Sequence, residues 1–296
     1  MYNAAVNKFL HRKMHDVTPL LMHYAVIGNP IAHSKSPLIH AQFAEQFGIA
    51  LRYERVLAPI DGFATTVDAL CAQDLRGCNV TVPFKLDAFA YASKRSADVL
   101  WAGASNTLSF ADGQVKADNT DGVGLVRDIT QNLGVGLRGK NVLLLGAGGA
   151  ARGVLRPILN ELPACMVVKN RSLDKAQAWL ADIQKNADFA EVVGACDLRV
   201  CAWADEAVQT YDVIINATAS GLSDSFTPPS GVAFAEGALA YDMMYGKQTA
   251  FLAWARAQGV RIADGWGMLV EQAAKSFEIW HGVAPNTAPL IAQGGA

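Results

Sequence analysis

Short runs of aliphatic residues alternate with longer segments of helical periodicity along most of the chain. The clearest apolar run covers residues 141–145, and similar runs cover residues 23–28, 165–168 and 210–216. Short continuous apolar runs are typical of parallel strands buried on both faces, and their alternation with helices is typical of βαβ units. We therefore predict an α/β fold with parallel strands.

The same pattern predicts the remaining elements of the chain. Further strands are predicted at residues 52–57, 76–82, 103–110 and 238–242, and helices from Ser36 toward Gly48 and at residues 61–71, 94–101, 123–133 and 248–258. Asp112-Gly113 predicts a hairpin turn. After residues 265–267, apolar residues recur at helical spacing, which predicts a last long helix with one packed face that ends at Gly282. These apolar residues are Leu269, Ala273, Phe277 and Trp280.

A glycine cluster follows the apolar run at residues 141–145. Gly146 permits a tight turn, Gly148 lets a phosphate approach the backbone, and Ala151 fills the third small position of the pattern G-x-G-x-x-G/A. The helix that follows directs its free N–H groups and the positive end of its dipole at that phosphate. Strand, turn and helix together predict a dinucleotide site, and the alternative is a turn with glycines for packing alone. The predicted site comprises Gly146, Ala147, Gly148, Gly149 and Ala150.

The second strand of this unit ends where a dinucleotide enzyme reads the ribose. An NAD enzyme carries Asp or Glu at that position, to accept a hydrogen bond from the ribose 2′-OH. This chain has Asn170, Arg171 and Ser172, with Lys175 beyond them. Cationic side chains suit a 2′-phosphate, so the sequence predicts NADP as cofactor. The alternative is that Arg171 is a solvated surface charge.

Two serines lie at the start of the first predicted helix. Ser36 precedes Pro37, which favours a helix that begins here with Ser36 as its cap. Ser34 and Ser36, beside Lys35, also form a suitable site for a small carboxylate. Spacing alone leaves capping and carboxylate binding open.

Polar residues also gather around the third predicted strand. Asn79 and Thr81 alternate with valines, which places both on one face of the strand. Lys85 follows the end of that strand, where open α/β sheets bind ligands, although a lone Lys in a loop is usually solvated. Asp121 precedes the helix predicted at 123–133, and its local sequence fits an N-cap equally well.

Composition narrows the classes of protein. The net charge is −2 with both signs scattered, so no electrostatic footprint indicates nucleic acid or an anionic membrane. The five cysteines contain no C-x-x-C, which is typical of free thiols in a reducing compartment. No apolar stretch is long enough for a signal peptide or a membrane span. We therefore expect a soluble cytoplasmic protein with an N-terminal extension over residues 1–21.

Taken together, the motifs resemble the shikimate dehydrogenase family in order and spacing, over roughly residues 22–290. The matching segments are residues 33–37, 79–85, 106–107, 119–122, 146–150, 170–172, 216–218, 241–245 and 263–270. The chain departs from the common pattern at Lys175, where many relatives carry Arg, at Ala219, at Ala250 and in its N-terminal extension. Of these, only Lys175 concerns an expected contact, the one with the 2′-phosphate. Lys offers that phosphate a point charge, whereas Arg would offer two parallel hydrogen bonds.

The resemblance implies two α/β domains. Residues 22–122, completed by residues 268–296, would form a substrate-binding domain, and residues 123–267 a Rossmann-type NADP domain. Lys85 and Asp121 would be the catalytic pair. The substrate would contact Ser34, Ser36, Asn79, Thr81, Asn106, Tyr245 and Gln272. The cofactor would contact residues 146–150, Asn170, Arg171, Ser172, Lys175, Thr218, Met243 and Gly265.

The implied activity is the reversible, NADP-dependent reduction of 3-dehydroshikimate to shikimate in the pathway to aromatic amino acids, with no metal. Two alternatives stay open: a quinate or broad-specificity enzyme that uses NAD, and a ligand-sensing relative that has lost turnover. The implied partner is a small-molecule substrate, with no nucleic acid or membrane, and the chain is expected to be a monomer or a homodimer.

Overall fold

In the computed structural model, residues 21–218 and 226–294 are described, and they contain two six-stranded sheets. The predicted N-terminal extension therefore lies outside the described residues except for Leu21, and so does Ala219. No helix of the described part is long and apolar enough to cross a bilayer. The prediction of an α/β fold is confirmed.

The first sheet has the strand order β2-β1-β3-β5-β6-β4. Strands β1, β2 and β3 run parallel, whereas β5 runs antiparallel to both β3 and β6. The turn between β5 and β6 is Asp112-Gly113, as predicted, and both residues have positive φ. The strands are β1 Met22–Gly28, β2 Leu51–Leu57, β3 Leu75–Val80, β4 Lys94–Arg95, β5 Thr107–Ala111 and β6 Gln114–Asp118.

Among the described residues, five helices accompany this first sheet. They are α1 Ser36–Gln46, α2 Phe63–Cys71, α3 Lys85–Tyr91, α4 Ala97–Ala102 and α5 Asp121–Arg127. A π-helical turn, Asp128–Asn132, continues α5 toward the second half of the chain.

The second sheet is parallel throughout, with the strand order β12-β11-β10-β7-β8-β9. Its strands are β7 Asn141–Leu145, β8 Cys165–Asn170, β9 Asp197–Ala202, β10 Gln209–Asn216, β11 Val232–Asp242 and β12 Arg261–Ala263. The helices are α6 Gly149–Asn160, α7 Leu173–Ile183, α8 Phe189–Val193, α9 Ala250–Ala257, α10 Trp266–His281 and α11 Ala288–Ile291.

The sequential order of the strands in this sheet reverses at β7, which lies between β8 and β10. Successive crossovers therefore leave in opposite directions at this point, and a crevice opens outside the carboxyl ends of β7 and β10. Gly146 follows β7 and Ala217 follows β10, so both lie at the crevice. The fold thus creates a ligand site where the sequence places the glycine cluster.

Helix α10 belongs to the second half of the sequence but packs on the first sheet's helices. Its residues Val270, Ala273 and Phe277 share one buried cluster with Ile39 and Phe43 of α1. The predicted packing stripe is confirmed at Ala273 and Phe277, whereas Leu269 and Trp280 are only half-buried. The last helices therefore complete the apolar core of the first half of the chain.

Several element predictions need correction. The first two residues of the helix predicted at 94–101 form the short strand β4, and the helix itself begins at Ala97. Strand β9 was not predicted. Strand β3 ends at Val80, so Thr81 lies beyond it and Val82 is 67% exposed in a turn. The helix predicted at 123–133 begins earlier, at Asp121, and is α-helical only to Arg127, after which residues 128–132 form the π-helical turn.

Candidate active site

A cleft of about 400 Å³ opens between the two sheets, at the carboxyl ends of β1, β3, β10 and β11. All of the predicted catalytic and substrate-binding residues line it. They are Ser34, Ser36, Asn79, Thr81, Lys85, Asn106, Asp121, Tyr245 and Gln272. Because they come from both halves of the chain, only the folded protein brings them together.

Lys85 and Asp121 form an ion pair inside this cleft. The Lys85 Nζ lies 2.5 Å from Asp121 Oδ2, and the two side chains are only 20% and 9% exposed. The other carboxylate oxygen, Oδ1, accepts a hydrogen bond of 2.9 Å from Asn106 Nδ2. Lys85 is therefore not a solvated surface residue. Asp121 is not an N-cap either, because Thr120 occupies that position and Asp121 is the first helical residue.

Asn106 connects this ion pair to the last long helix. Its Nδ2 also donates to Thr120 Oγ1 at 2.9 Å and to Gln272 Oε1 at 3.2 Å, while its Oδ1 accepts from the Thr120 N–H. The Gln272 Nε2 donates to the Leu269 carbonyl. Gln272 is half-buried, and both ends of its amide find partners within the protein.

Asn79 lies deeper in the wall of the cleft and is held by three side chains. Its Oδ1 accepts a hydrogen bond of 2.7 Å from Tyr53, and its Nδ2 donates to Ser276 Oγ at 2.9 Å and Thr107 Oγ1 at 3.1 Å. Tyr53 in turn stacks on His40, with ring centroids 4.4 Å apart. His40 is fully buried, and this burial lowers its pKa to about 3. Sequence patterns gave no signal for these supports because they come from distant segments.

The two serines occupy different positions at the start of α1. Lys35 is the N-cap of this helix and makes no side-chain capping bond, so the prediction that Ser36 caps the helix is wrong. The Ser34 Oγ donates to the Ser36 Oγ at 3.2 Å, and it accepts from the Ser36 N–H at 3.3 Å. Arg55 fixes the loop through a 2.8 Å bond to the Ser34 carbonyl. Both hydroxyls line the cleft, which favours the carboxylate interpretation.

Tyr245 lies on a loop that a buried carboxylate organises. Asp242, fully buried at the end of β11, accepts hydrogen bonds from Thr249 Oγ1, Asn216 Nδ2 and the Met244 N–H, at 2.5, 3.1 and 3.0 Å. Burial raises the pKa of Asp242, although these three hydrogen bonds act in the opposite direction. The loop from residue 243 to residue 245 lines the cleft, so Asp242 sets its position. Sequence reasoning missed this role.

A second cleft, of about 740 Å³, adjoins the first, and Ala217 and Thr218 line both. It contains most of the predicted cofactor residues: Gly146, Ala147, Gly148, Asn170, Arg171, Ser172, Lys175 and Thr218. Ala150, Met243 and Gly265 line the first cleft instead, on the side where the two meet. Gly149 lines neither cleft and begins α6.

The glycine loop fits a phosphate group. Gly146 has φ of +106°, a conformation that favours glycine. A Cβ atom added at Gly148 or at Gly149 would meet no atom within 4 Å, so the backbone here is open to a ligand. Helix α6 begins at this point and directs its N–H groups toward the loop.

Arg152 and Trp203 are among the residues of the second cleft that were not predicted. Arg152 of α6 donates through Nε to the Ala147 carbonyl at 3.2 Å, and its guanidinium lies 5.6 Å from the ring centroid of Trp179. Burial lowers the pKa of this guanidinium. Trp203 follows β9 and also lines the cleft. Nothing in the spacing of the glycine motif indicates either residue.

Comparisons with known proteins agree with this geometry. Three family models match the chain: the shikimate dehydrogenase substrate binding domain at residues 26–108, shikimate / quinate 5-dehydrogenase at residues 127–223, and the shikimate 5′-dehydrogenase C-terminal domain at residues 265–293. A shikimate dehydrogenase (NADP(+)) of Methylobacillus flagellatus is 54% identical over 91% of this chain and 97% of its own.

The chain belongs to the shikimate dehydrogenase family. The resemblance inferred from the motifs is thereby confirmed.

Solved structures of similar proteins support the same assignment. A Pseudomonas putida protein described as an Ael1 enzyme is 42% identical, with a TM-score of 0.83 over 93% of this chain and 98% of its own. A shikimate 5-dehydrogenase of Thermus thermophilus, solved with NADP(H) and shikimate, is 30% identical, with a TM-score of 0.77 over 93% of this chain and 98% of its own. The two-sheet architecture is therefore that of the shikimate dehydrogenase family.

Proposed function

We propose that this protein catalyses the reversible, NADP-dependent reduction of 3-dehydroshikimate to shikimate. The observation that carries the proposal is the ion pair of Lys85 and Asp121, which lies in a cleft that adjoins the glycine-loop cleft along Ala217 and Thr218. Relatives that share about half of its residues, such as the protein of Dechloromonas aromatica at 52% identity, are named shikimate dehydrogenase (NADP(+)).

The reduction adds a hydride to a ring carbonyl carbon and a proton to its oxygen. NADPH, when bound, supplies the hydride, so the protein must supply the proton and hold the substrate in place. Lys85 donates this proton, or stabilises the oxygen as its negative charge develops. Asp121 orients the ammonium group through the ion pair. In the oxidative direction Lys85 accepts the proton from the substrate hydroxyl.

The other residues of the first cleft hold the substrate. Ser34 and Ser36 bind the carboxylate through their hydroxyl groups, at the end of the cleft formed by the start of α1. Polar side chains from four further segments bind the ring hydroxyls: Asn79, Thr81, Asn106, Tyr245 and Gln272. The amide of Asn79 already donates within the protein, so we assign to it mainly the orientation of its neighbours.

The second cleft would hold the cofactor. Residues 146–148, which line this cleft, would cradle the pyrophosphate together with Gly149 and Ala150 at the start of α6. Arg171 and Lys175 would bind the 2′-phosphate, with Asn170 and Ser172 beside them. Met243 and Gly265, together with Thr218, line the region where the two clefts meet, which fits the nicotinamide end. Among the residues that the structure describes, the lining of this cleft contains no Asp or Glu to accept a hydrogen bond from an NAD 2′-OH.

The same proposal covers the organisation of the protein. We assign residues 22–122 with residues 268–296 to a substrate domain and residues 123–267 to an NADP domain, because the buried cluster of α1 and α10 joins the first and last segments. All five cysteines are free, which supports a reducing, cytoplasmic compartment. A monomer or a homodimer remains our expectation.

One alternative keeps a specific observation in its favour. The family model that matches residues 127–223 is described as shikimate / quinate 5-dehydrogenase, which leaves quinate as a competing substrate. The decisive experiment measures kcat/KM for shikimate and quinate, each with NADP and with NAD. We expect shikimate with NADP to be the best pair. NAD as the better cofactor would contradict the proposal, and no turnover with any pair would favour a ligand-sensing protein.

A further inference from the structure

The Arg171 guanidinium is exposed, and its position must be fixed if it is to recognise a phosphate. In the part of the chain that the structure describes, Arg171 forms no ion pair with a carboxylate. Its guanidinium lies over the Trp203 ring instead, with Cζ 5.7 Å from the ring centroid. A cation over the face of an indole is attracted by the negative charge of that face. Trp203 therefore holds the guanidinium without neutralising it.

Trp203 is itself fixed in the wall of the cofactor cleft. Its backbone N–H donates to the Asn170 carbonyl at 3.1 Å, which ties it to the strand end that carries Arg171. Its Nε1 donates to the Thr227 carbonyl at 3.2 Å, and its ring meets Phe226 edge to face at 6.2 Å. Its backbone, its Nε1 and its ring thus each contact a neighbour, and the position of the ring defines the position of Arg171.

The loops around Trp203 have an anchor of their own. Lys169, which is 2% exposed at the end of β8, donates through Nζ to the carbonyls of Asp205 and Ser230 at 2.8 and 2.5 Å. The Ser230 N–H in turn donates to the Trp203 carbonyl at 3.0 Å. A buried ammonium is costly unless carbonyls or charges satisfy it, so these bonds fix the segments on both sides of the tryptophan.

We propose that Trp203 is a specificity-determining residue of this enzyme, which holds the Arg171 guanidinium in the orientation that selects the 2′-phosphate of NADP over the free 2′-hydroxyl of NAD. The inference rests on the proposed function, since it assigns Arg171 to the 2′-phosphate. Trp203 acts through Arg171 and is a positioning residue.

The proposal predicts a selective loss of affinity. Cation–π contacts at exposed sites contribute about 0.5 to 1 kcal/mol, which corresponds to about a two- to fivefold change in affinity. In Trp203→Leu, the Kd of adenosine 2′,5′-bisphosphate rises by that factor, while the Kd of 5′-AMP, which lacks the 2′-phosphate, stays the same. Trp203→Phe keeps an aromatic face and most of the preference.

Calorimetric titration of the two nucleotides tests this, with Trp254→Leu as the matched control. Trp254 is half-buried like Trp203 and packs on the same Phe226, at 5.4 Å, but it does not line the cofactor cleft. We expect the control to keep the native ratio of the two Kd values. The double variant Arg171→Ala with Trp203→Leu should show the same ratio as Arg171→Ala alone, because the tryptophan acts only through the arginine.

Three results would overturn the role of Trp203: an unchanged ratio in Trp203→Leu, an equal loss of affinity for both nucleotides, or a further loss of the ratio in the Arg171→Ala background. Failure of the proposed function gives a different result. A native protein that prefers the 2′-phosphorylated nucleotide but does not oxidise shikimate contradicts the activity and leaves the positioning role intact. A native protein without that preference contradicts both.

Discussion

Replacing Lys85 by Met removes the ammonium group from the cleft while keeping a side chain of similar length. The carboxylate of Asp121 keeps its 2.9 Å hydrogen bond from Asn106, so the cleft should retain its shape. The loss of a positioned proton donor lowers a rate by about 10² to 10⁴. At 1.36 kcal/mol per decade, this raises the barrier by about 2.7 to 5.4 kcal/mol.

The substrate should still bind to this variant, because the serines and amides assigned to it lie on other segments. We therefore expect kcat to fall by the full factor, while the Kd of shikimate from calorimetry changes by less than about fivefold. Loss of the ion pair leaves Asp121 short of one charged partner, which lowers the free energy of unfolding by about 1 to 3 kcal/mol. Absorbance of NADPH follows turnover, and denaturant titration follows stability.

Lys116→Met is the matched control for this experiment. Lys116 also pairs with an aspartate: its Nζ lies 3.1 Å from Asp118 Oδ2, and both residues belong to β6 of the first sheet. Lys116 lies outside the cleft, and its side chain is 54% exposed. We expect native kcat in the control, because exposed ion pairs contribute little. A Lys85→Met protein that turns over within about tenfold of the native rate would refute the reasoning and move proton transfer to another group.

The remaining predictions concern substrate, cofactor, pH and packing. Shikimate should be preferred over quinate because two small hydroxyls fit a flat carboxylate, and Ser36→Thr should narrow the ratio of their kcat/KM values; equal native values would contradict this. Arg171→Ala removes one charge-assisted hydrogen bond of about 1.5 to 3 kcal/mol, so the ratio of kcat/KM for NADP to kcat/KM for NAD should fall by about tenfold or more at low salt and by less at high salt. An unchanged ratio would show that another residue recognises the 2′-phosphate. His40 has a pKa of about 3 in the folded protein and 6.5 in the unfolded chain, so between these pH values the unfolded chain binds up to one more proton. The free energy of unfolding therefore decreases by up to about 1.4 kcal/mol for each unit by which the pH is lowered. In His40→Phe, the urea concentration at the unfolding midpoint should therefore depend less on pH between pH 6.5 and about 4. An identical pH dependence in both proteins would rule out His40 as its source. A Cβ atom at Gly124 would lie 2.7 Å from the backbone N of Gln272, so Gly124→Ala should lower stability by about 1 to 3 kcal/mol and raise the KM of shikimate; a native melting temperature and KM would contradict the close packing.

The parts of the fold that the sequence predicted are those with a strong local pattern. Strand β7, the glycine loop and α6 combine an apolar run, a turn and a helix, and each restricts the next. Strand β9 was missed because it is an edge strand in which Asp197 and Arg199 interrupt any apolar run. Strand β4 has only two residues and no periodicity to detect.

The roles of individual site residues were less accessible, because one residue type serves two purposes. A serine before a proline and an aspartate before a helix are typical caps, yet Ser36 and Asp121 are the first helical residues and face the cleft. Only the placement of α10 beside α5 shows that Gln272 contacts Asn106. The supports from Tyr53, Asp242 and Trp203 depend on packing between distant segments, which no local pattern encodes.

The shared buried cluster of α1 and α10 also determines the order in which the protein can be completed during synthesis. Ile39 and Phe43 leave the ribosome first, whereas Val270, Ala273 and Phe277, which cover them, follow after the entire second sheet. Because synthesis proceeds at roughly 5 to 20 residues per second, the apolar surface of α1 stays without the residues of α10 for on the order of 10 s or longer. The second sheet draws all its strands from one continuous segment and can form during that interval. The cleft includes Gln272 of α10, so it can be completed only after that helix has left the ribosome.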